Sequence, residues 1–208
     1  MRKRLNKYLL ILAAIMLDIL FPNHNEDALI SAAKLFGIDK LLFVYDSPDK
    51  FYACKSVVKC INALVAVPAA VERARAKAQV VLVQSSDKDL SMIEQFAPSI
   101  LFNLEASFRT DALHQRASGL NHILARACAK NNVTIAFSFR SLFKAVPERR
   151  AVLIGRMMQN IRLCRKFKVV MKIASFAQTP DEMHNPADLA SLFVVLGMHP
   201  NEAREAME

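Results

Sequence analysis

Short apolar segments alternate with helical segments along nearly the whole chain. The segment from Cys60 to Val67 is apolar except for Asn62, which is typical of a strand buried on both faces. Parallel strands joined by crossover helices produce this alternation. The predicted strands lie at residues 15–20, 40–45, 60–67, 80–83, 100–104, 133–139 and 169–175. The sequence therefore predicts an α/β fold with a parallel sheet of seven strands.

A closed barrel is favoured over an open, doubly wound sheet. Open sheets of this class bind nucleotides through a glycine-rich turn, and the chain has only 4 glycines and neither a GxGxxG nor a Walker-type motif. We predict a TIM-barrel-like (β/α) barrel that forms a single domain over residues 14–208. Residues 1–13 are predicted to be an N-terminal extension or the start of the first strand. Because 208 residues are few for such a barrel, some helices should be short or missing.

The first residues imitate a signal peptide, because Met1 to Lys7 is basic and Tyr8 to Leu17 is apolar. No small-residue cleavage pattern follows, and the apolar run is too short to span a bilayer comfortably. A signal peptide stays an alternative to a buried first strand. The 4 cysteines show no CxxC spacing. We therefore expect reduced thiols and a cytoplasmic protein without a membrane partner.

The positive charge of the chain is concentrated between Arg140 and Lys172. This stretch holds ten Lys and Arg residues against one acid, Glu148, and its net charge of +9 equals that of the whole chain. Cations gathered in one segment are typical of a surface that binds a polyanion.

A single amphipathic helix is predicted within this stretch, from Arg149 to Phe167. Its apolar residues recur at helical spacing, and Arg162 and Lys166 project from the opposite face. Arginine suits phosphate because its planar fork donates two hydrogen bonds to one group. The predicted RNA-binding residues are Arg140, Arg149, Arg156, Arg162, Arg165, Lys166 and Lys172, with Arg116 and Lys130 as weaker candidates.

Four longer segments resemble protein component 3 of archaeal ribonuclease P, the family of the human thirty-kilodalton ribonuclease P subunit. They are SGLNHILARACAKNN (118–132), IAFSFRSLF (135–143), RMMQNIRLCRKFKV (156–169) and NPADLASLFVVLGM (185–198). The stretch from Met16 to Leu41 is similar to the first strand and helix of the same family. The resemblance therefore covers the chain from about Met16 onward.

The resemblance implies a barrel related to metal-dependent phosphoesterases and a role as a protein subunit of ribonuclease P, the endoribonuclease that removes 5′ leaders from precursor tRNA. It implies that the RNA carries the catalysis, with Mg²⁺ bound through the RNA and no cofactor or metal bound by the protein. The implied partners are the ribonuclease P RNA, an RRM-like subunit that joins this chain in a heterotetramer, and the other ribonuclease P proteins, with precursor tRNA as the substrate of the complex.

Two other functions stay open. A phosphoesterase would need several His and Asp ligands at the carboxyl ends of strands, and Asp18, His24 and Asp46 are the early candidates. The histidines are scattered, however, without an HxH or HExxH pair. Alternatively, the basic helix is a docking surface for a protein, with Gly155 allowing a close approach.

Overall fold

The computed structural model describes residues 16–107, 109–112 and 116–208, so the extension predicted at residues 1–13 lies outside the described residues. Seven parallel strands form one sheet in which each strand pairs with the next along the chain. The strands are β1 Leu17–Leu20, β2 Lys40–Tyr45, β3 Lys59–Val65, β4 Val80–Gln84, β5 Ile100–Phe102, β6 Thr134–Ser138 and β7 Met171–Ala174. The predicted parallel α/β sheet and its seven strands are confirmed.

Helices cross over between most of the strands, and several are short, as the chain length predicts. The α-helices are α1 Glu26–Leu35, α2 Val71–Arg75, α3 Asp89–Phe96, α4 His122–Lys130, α5 Phe139–Phe143, α6 Pro147–Phe167, α7 Pro186–Val195 and α8 Pro200–Glu205. A crossover without an α-helix joins β2 to β3, where the chain forms a single 3₁₀ turn at Pro48–Lys50. Within the described ranges, no helix combines the length and the apolar character that crossing a membrane requires.

Two apolar layers hold the barrel together. The smaller layer fills the interior with side chains that alternate along the strands, among them Ile19, Leu42 and Leu82. The larger layer packs the outer side of the sheet against the helices and includes Phe43, Leu101 and Phe137. Burial on both faces explains why the strands read as continuous apolar runs.

The barrel closes between β1 and β7 through individual hydrogen bonds. At one end, the Leu17 N–H donates to the Met207 carbonyl at 2.7 Å and the Ile173 N–H donates to the Ala206 carbonyl at 2.9 Å, so the chain after α8 links the two strands. Next to Leu17, the Asp18 carboxylate accepts hydrogen bonds from the N–H and the hydroxyl of Ser175, at 2.7 and 2.6 Å. At the carboxyl ends of the two strands, the Phe21 N–H donates to the Ala177 carbonyl at 2.9 Å. This closure forms a nearly complete TIM-barrel-like cylinder.

Candidate nucleic-acid interface

Helix α6 is the longest helix in the described part of the chain, and local sequence signals fix both of its ends. Pro147 occupies the first turn, where its missing N–H is not needed, and the acidic Glu148 lies beside the positive end of the helix dipole. The helix stops at Lys168, whose φ of 56° is left-handed. The predicted helix 149–167 is confirmed and begins two residues earlier.

One face of α6 is buried against the outer side of the barrel. Leu153, Met157, Ile161 and Cys164 recur every three to four residues and are all buried. The opposite face is exposed and carries Arg162 and Lys166, which are one helical turn apart. The amphipathic pattern therefore orients these two cations toward solvent, as predicted.

Helix α4 packs beside α6 and extends the positive charge. Its exposed Arg126 and Lys130 are also one turn apart, and Arg126 lies 5.4 Å from the ring centroid of Phe167 at the end of α6. The Lys166 ammonium lies 5.6 Å from the same ring. We call the resulting patch the cationic surface; it consists of Arg126, Lys130, Arg162, Lys166 and Lys168.

The charges of the cationic surface have no acidic partner in the described structure. Across residues 16–107, 109–112 and 116–208, none of its five side chains is within ion-pair distance of a carboxylate. Like charges on adjacent turns repel each other, and an approaching row of phosphates relieves that repulsion. The cationic surface can therefore bind a polyanion.

Arg156 has a structural role, and its prediction as an RNA-binding residue is wrong in this structure. Its side chain is only 1% exposed. The guanidinium pairs with Asp111 at 2.8 Å and donates to the carbonyls of Glu105 and Ser107 at 3.0 and 2.6 Å. All of its donors point into the protein, so no phosphate can reach them.

Three other predicted residues are held by contacts within the chain. Arg140 pairs with Glu182 at 2.8 Å, and Arg165 pairs with Glu202 at 2.6 Å. The hydrogen bond from Arg165 lowers the pKa of Glu202 to about 2, so this ion pair is formed throughout the neutral range. Arg149 donates to the carbonyls of Ala106 and Ser107, which orient its guanidinium without cancelling its charge.

The remaining two predicted residues differ in exposure. Lys172 is half-buried and donates to the Glu205 carbonyl at 3.4 Å, and burial lowers its pKa. Arg116 is exposed, and its guanidinium covers Gly155 on α6 so closely that a Cβ there would collide with it. The close approach predicted at Gly155 is made in this structure by an arginine of the same chain, and docking of a protein partner on this helix stays a prediction.

The barrel mouth at the carboxyl ends of the strands is closed by aromatic rings. Phe21 follows β1, Phe102 ends β5 and Phe176 follows β7; their ring centroids lie 5.3 to 5.9 Å apart. A metal-dependent phosphoesterase needs polar ligands converging at this position. Here the position is apolar.

The candidate metal ligands near the mouth do not converge. Asp18 is 1% exposed and closes the barrel with Ser175; burial raises its pKa to about 6 against the hydrogen bonds from Ser175 and Ile19. Asp46 is exposed and pairs with Lys50 at 2.9 Å. Within the residues that the structure describes, no three His, Cys, Asp or Glu side chains are placed to hold a metal ion. The donors present therefore do not fit the metal site of a phosphoesterase.

Sequence reasoning missed two kinds of residue. Arg126 was overlooked although it lies four residues before Lys130 on the same helix, a spacing that would have found it. The acids Asp111, Glu182 and Glu202 were missed because they lie outside the basic stretch and reach it only in the folded chain. Local charge counting therefore overestimated the number of unpaired cations.

Comparison with known proteins places the geometry in a family. Two curated relatives are ribonuclease P protein component 3 of Methanosarcina acetivorans, 35% identical over 92 residues (44% of this chain, 38% of the relative), and that of Thermococcus kodakarensis, 37% identical over 89 residues (43% and 40%). The matched segments thus span about 40% or less of the length of these relatives.

Solved structures support the fold. A chain in the structure described as archaeal ribonuclease P with mature tRNA matches with a TM-score of 0.76 at 21% identity, covering 92% of this chain and 86% of that one. A histidinol phosphate phosphatase from Lactococcus lactis matches with a TM-score of 0.58 at 9% identity, covering 89% and 95%.

The sequence model described as RNase P subunit p30 matches residues 43–208. The chain therefore belongs to the RNase P subunit p30 family.

Proposed function

We propose that this protein is an RNA-binding subunit of ribonuclease P that takes no part in bond cleavage itself. The observation that carries the proposal is the cationic surface, whose five exposed side chains have no acidic partner among the described residues. Membership in the RNase P subunit p30 family supplies the biological context. The aromatic closure of the barrel mouth argues against an independent phosphoesterase.

The proposed role is electrostatic. Helices α4 and α6 present cations on adjacent turns, and phosphates that bind them release counterions from the RNA. If about four phosphates are neutralised, the slope of log K against log salt lies between about −2.8 and −3.6. Such neutralisation lets RNA segments pack together with less Mg²⁺, which is the contribution we propose for the protein.

The proposed complex contains the ribonuclease P RNA, an RRM-like partner subunit in a heterotetramer with this chain, and the other ribonuclease P proteins. Precursor tRNA is the proposed substrate, and Mg²⁺ acts through the RNA. The proposed location of the complex is the cytoplasm.

The test of function is cleavage of precursor tRNA by the cognate ribonuclease P RNA near its Mg²⁺ threshold. Cleavage is measured without protein, with this chain, with its partner subunit, and with both proteins. We expect a lower Mg²⁺ requirement when both are present. An unchanged requirement would refute the role as a ribozyme subunit.

The test of the cationic surface is charge reversal with a matched control. Arg162→Glu combined with Lys166→Glu should reduce the salt slope by about 1.4 to 1.8, because two phosphate contacts are lost. Arg73→Glu combined with Lys77→Glu makes the same change of charge at two exposed positions near α2, also four residues apart. The control should bind RNA nearly as the unmodified protein does.

Two outcomes would contradict the assignment. If both double variants lose RNA affinity equally, total charge rather than the cationic surface determines binding. If the Arg162→Glu and Lys166→Glu variant keeps RNA affinity but loses its partner subunit, the basic helix is a protein-docking surface.

A further inference from the structure

A second surface, at the carboxyl end of β6, presents a fixed aromatic ring to solvent. Helix α5 starts directly after the strand, where the Ser138 hydroxyl accepts a hydrogen bond from the Ser141 N–H. Phe139 and Phe143 lie one turn apart on α5, with ring centroids 6.1 Å apart. The His184 ring packs beside both, at 4.3 Å from Phe139 and 5.8 Å from Phe143. These neighbours fix the orientation of Phe143.

Phe143 stays 48% exposed although its neighbours hold it. Val146, three residues further along the chain, is 62% exposed. We call Phe143, His184 and Val146 the aromatic shelf. Stable protein interfaces bury about 800 Å² per partner, far more than one ring and one valine provide. The size of the aromatic shelf fits a single flat group such as a nucleobase.

Cations border the aromatic shelf. The Lys144 ammonium lies 5.6 Å from the centroid of Phe143 and pairs with Glu182. The Arg150 guanidinium donates to the carbonyls of Leu142 and Ala145, at 3.0 and 2.9 Å. These carbonyls hold the guanidinium at the end of α5 without neutralising its positive charge. A flat ring next to a fixed cation matches the two parts of a nucleotide, the base and its phosphate.

We propose that the aromatic shelf stacks an unpaired base of single-stranded RNA on Phe143, with a neighbouring phosphate at Arg150. A base within a duplex has both faces covered by its neighbours, whereas an unpaired base offers a free face to an aromatic side chain. Stacking of this kind tolerates any base. This proposal rests on the RNA-binding role proposed above and assigns a second, single-strand contact distinct from the cationic surface.

Tryptophan fluorescence gives a direct test, since the chain contains no Trp. Phe143→Trp places one fluorophore on the aromatic shelf, and a stacked base quenches it. The probes are oligouridylate and oligoadenylate of about ten nucleotides, compared with an RNA duplex of equal length. We expect strong quenching by both single strands and weak quenching by the duplex. Val195→Trp is the control: this residue is 79% exposed at the last position of α7, which runs away from the barrel mouth.

A second variant keeps the test independent of the fluorophore. Phe143→Leu preserves an apolar side chain but removes the flat face, and we expect single-strand affinity to fall roughly 5- to 150-fold. Because Phe143 is half-exposed, both variants should keep the circular dichroism spectrum of the unmodified protein.

Three results would overturn the aromatic shelf as a base-stacking site. They are equal quenching of the two tryptophan variants, unchanged single-strand affinity of Phe143→Leu, and loss of a protein partner by Phe143→Leu with RNA affinity intact. The third result would assign the surface to a protein. None of these results bears on the cationic surface, which is tested separately by charge reversal at Arg162 and Lys166.

Discussion

Replacing Arg156 by alanine should destabilise the fold severely, although a basic residue on a basic helix would ordinarily be expected on the surface. The change removes the ion pair with Asp111 and the donors to the carbonyls of Glu105, Ser107 and Arg109. Breaking a buried ion pair by removing one partner costs about 3 to 5 kcal/mol. Asp111 is 26% exposed and can recover part of its hydration, so we expect the lower end, about 3 kcal/mol.

Urea unfolding followed by circular dichroism measures this loss. With an m-value of about 2 kcal/mol/M, a loss of about 3 kcal/mol lowers the midpoint by about 1.5 M. Arg162→Ala, six residues further along the same helix and exposed, is the control and should change stability by no more than about 0.5 kcal/mol. Midpoints that agree for Arg156→Ala and the unmodified protein would refute the structural role of Arg156.

Three further predictions concern single side chains, each checked by urea unfolding. Burial raises the pKa of Asp18 from 3.8 to about 6. The folded state therefore binds the proton more tightly than the unfolded state, and the free energy of unfolding falls by about 3 kcal/mol as pH rises from below 3.8 to above 6. Asp18→Asn should remove this pH dependence. Burial alone would raise the pKa of Glu182, but hydrogen bonds from Lys144, Gln178 and Arg140 lower it to about 2; Glu182→Gln should therefore lose less stability than the unmodified protein as pH falls from 4.5 to 2. Gly119 has a φ of 79° and a Cβ there would collide with the Leu104 backbone, so Gly119→Ala should cost more than the roughly 1 to 2 kcal/mol of left-handed strain alone.

Each of these three predictions has an outcome that contradicts it. If stability depends on pH in the same way for Asp18→Asn and the unmodified protein, the pKa of Asp18 is not raised in the folded state. If Glu182→Gln loses as much stability as the unmodified protein when pH falls from 4.5 to 2, the ion pairs of Glu182 do not contribute to stability against acid. Gly37 has a φ of 67° and a Cβ added there would meet no atom within 4 Å, so Gly119→Ala should cost more than Gly37→Ala; equal costs would exclude the collision.

The fold could be predicted from the sequence because strands that are buried on both faces are continuous apolar runs. Such a run is recognisable without knowing which strands pair with it. Strand β2 was predicted with its observed bounds, and α6 with nearly its observed start. Helix α5 was missed: residues 133–139 were read as one strand, whereas the Ser138 cap ends β6 and starts a helix at Phe139. A serine cap after a strand leaves only a weak signal when the following residues are apolar.

The site was predicted less completely than the fold. Arg162 and Lys166 could be placed on the exposed face because the helical period alone decides their direction. Arg156 could not be excluded, because its burial depends on contacts with Glu105 and Asp111, which lie in a distant part of the chain. Long-range pairing of charges is the part of the site that spacing along one helix does not encode.

The contacts between β1 and β7 also determine when the barrel can close during translation. Leu17 is translated well before its hydrogen-bond partner Met207, which follows all seven strands in the chain. Until then the nascent sheet keeps the edge of β1 unpaired, and such edges pair readily with other chains. Cylinder closure is therefore a late and slow step, since it joins residues far apart in sequence.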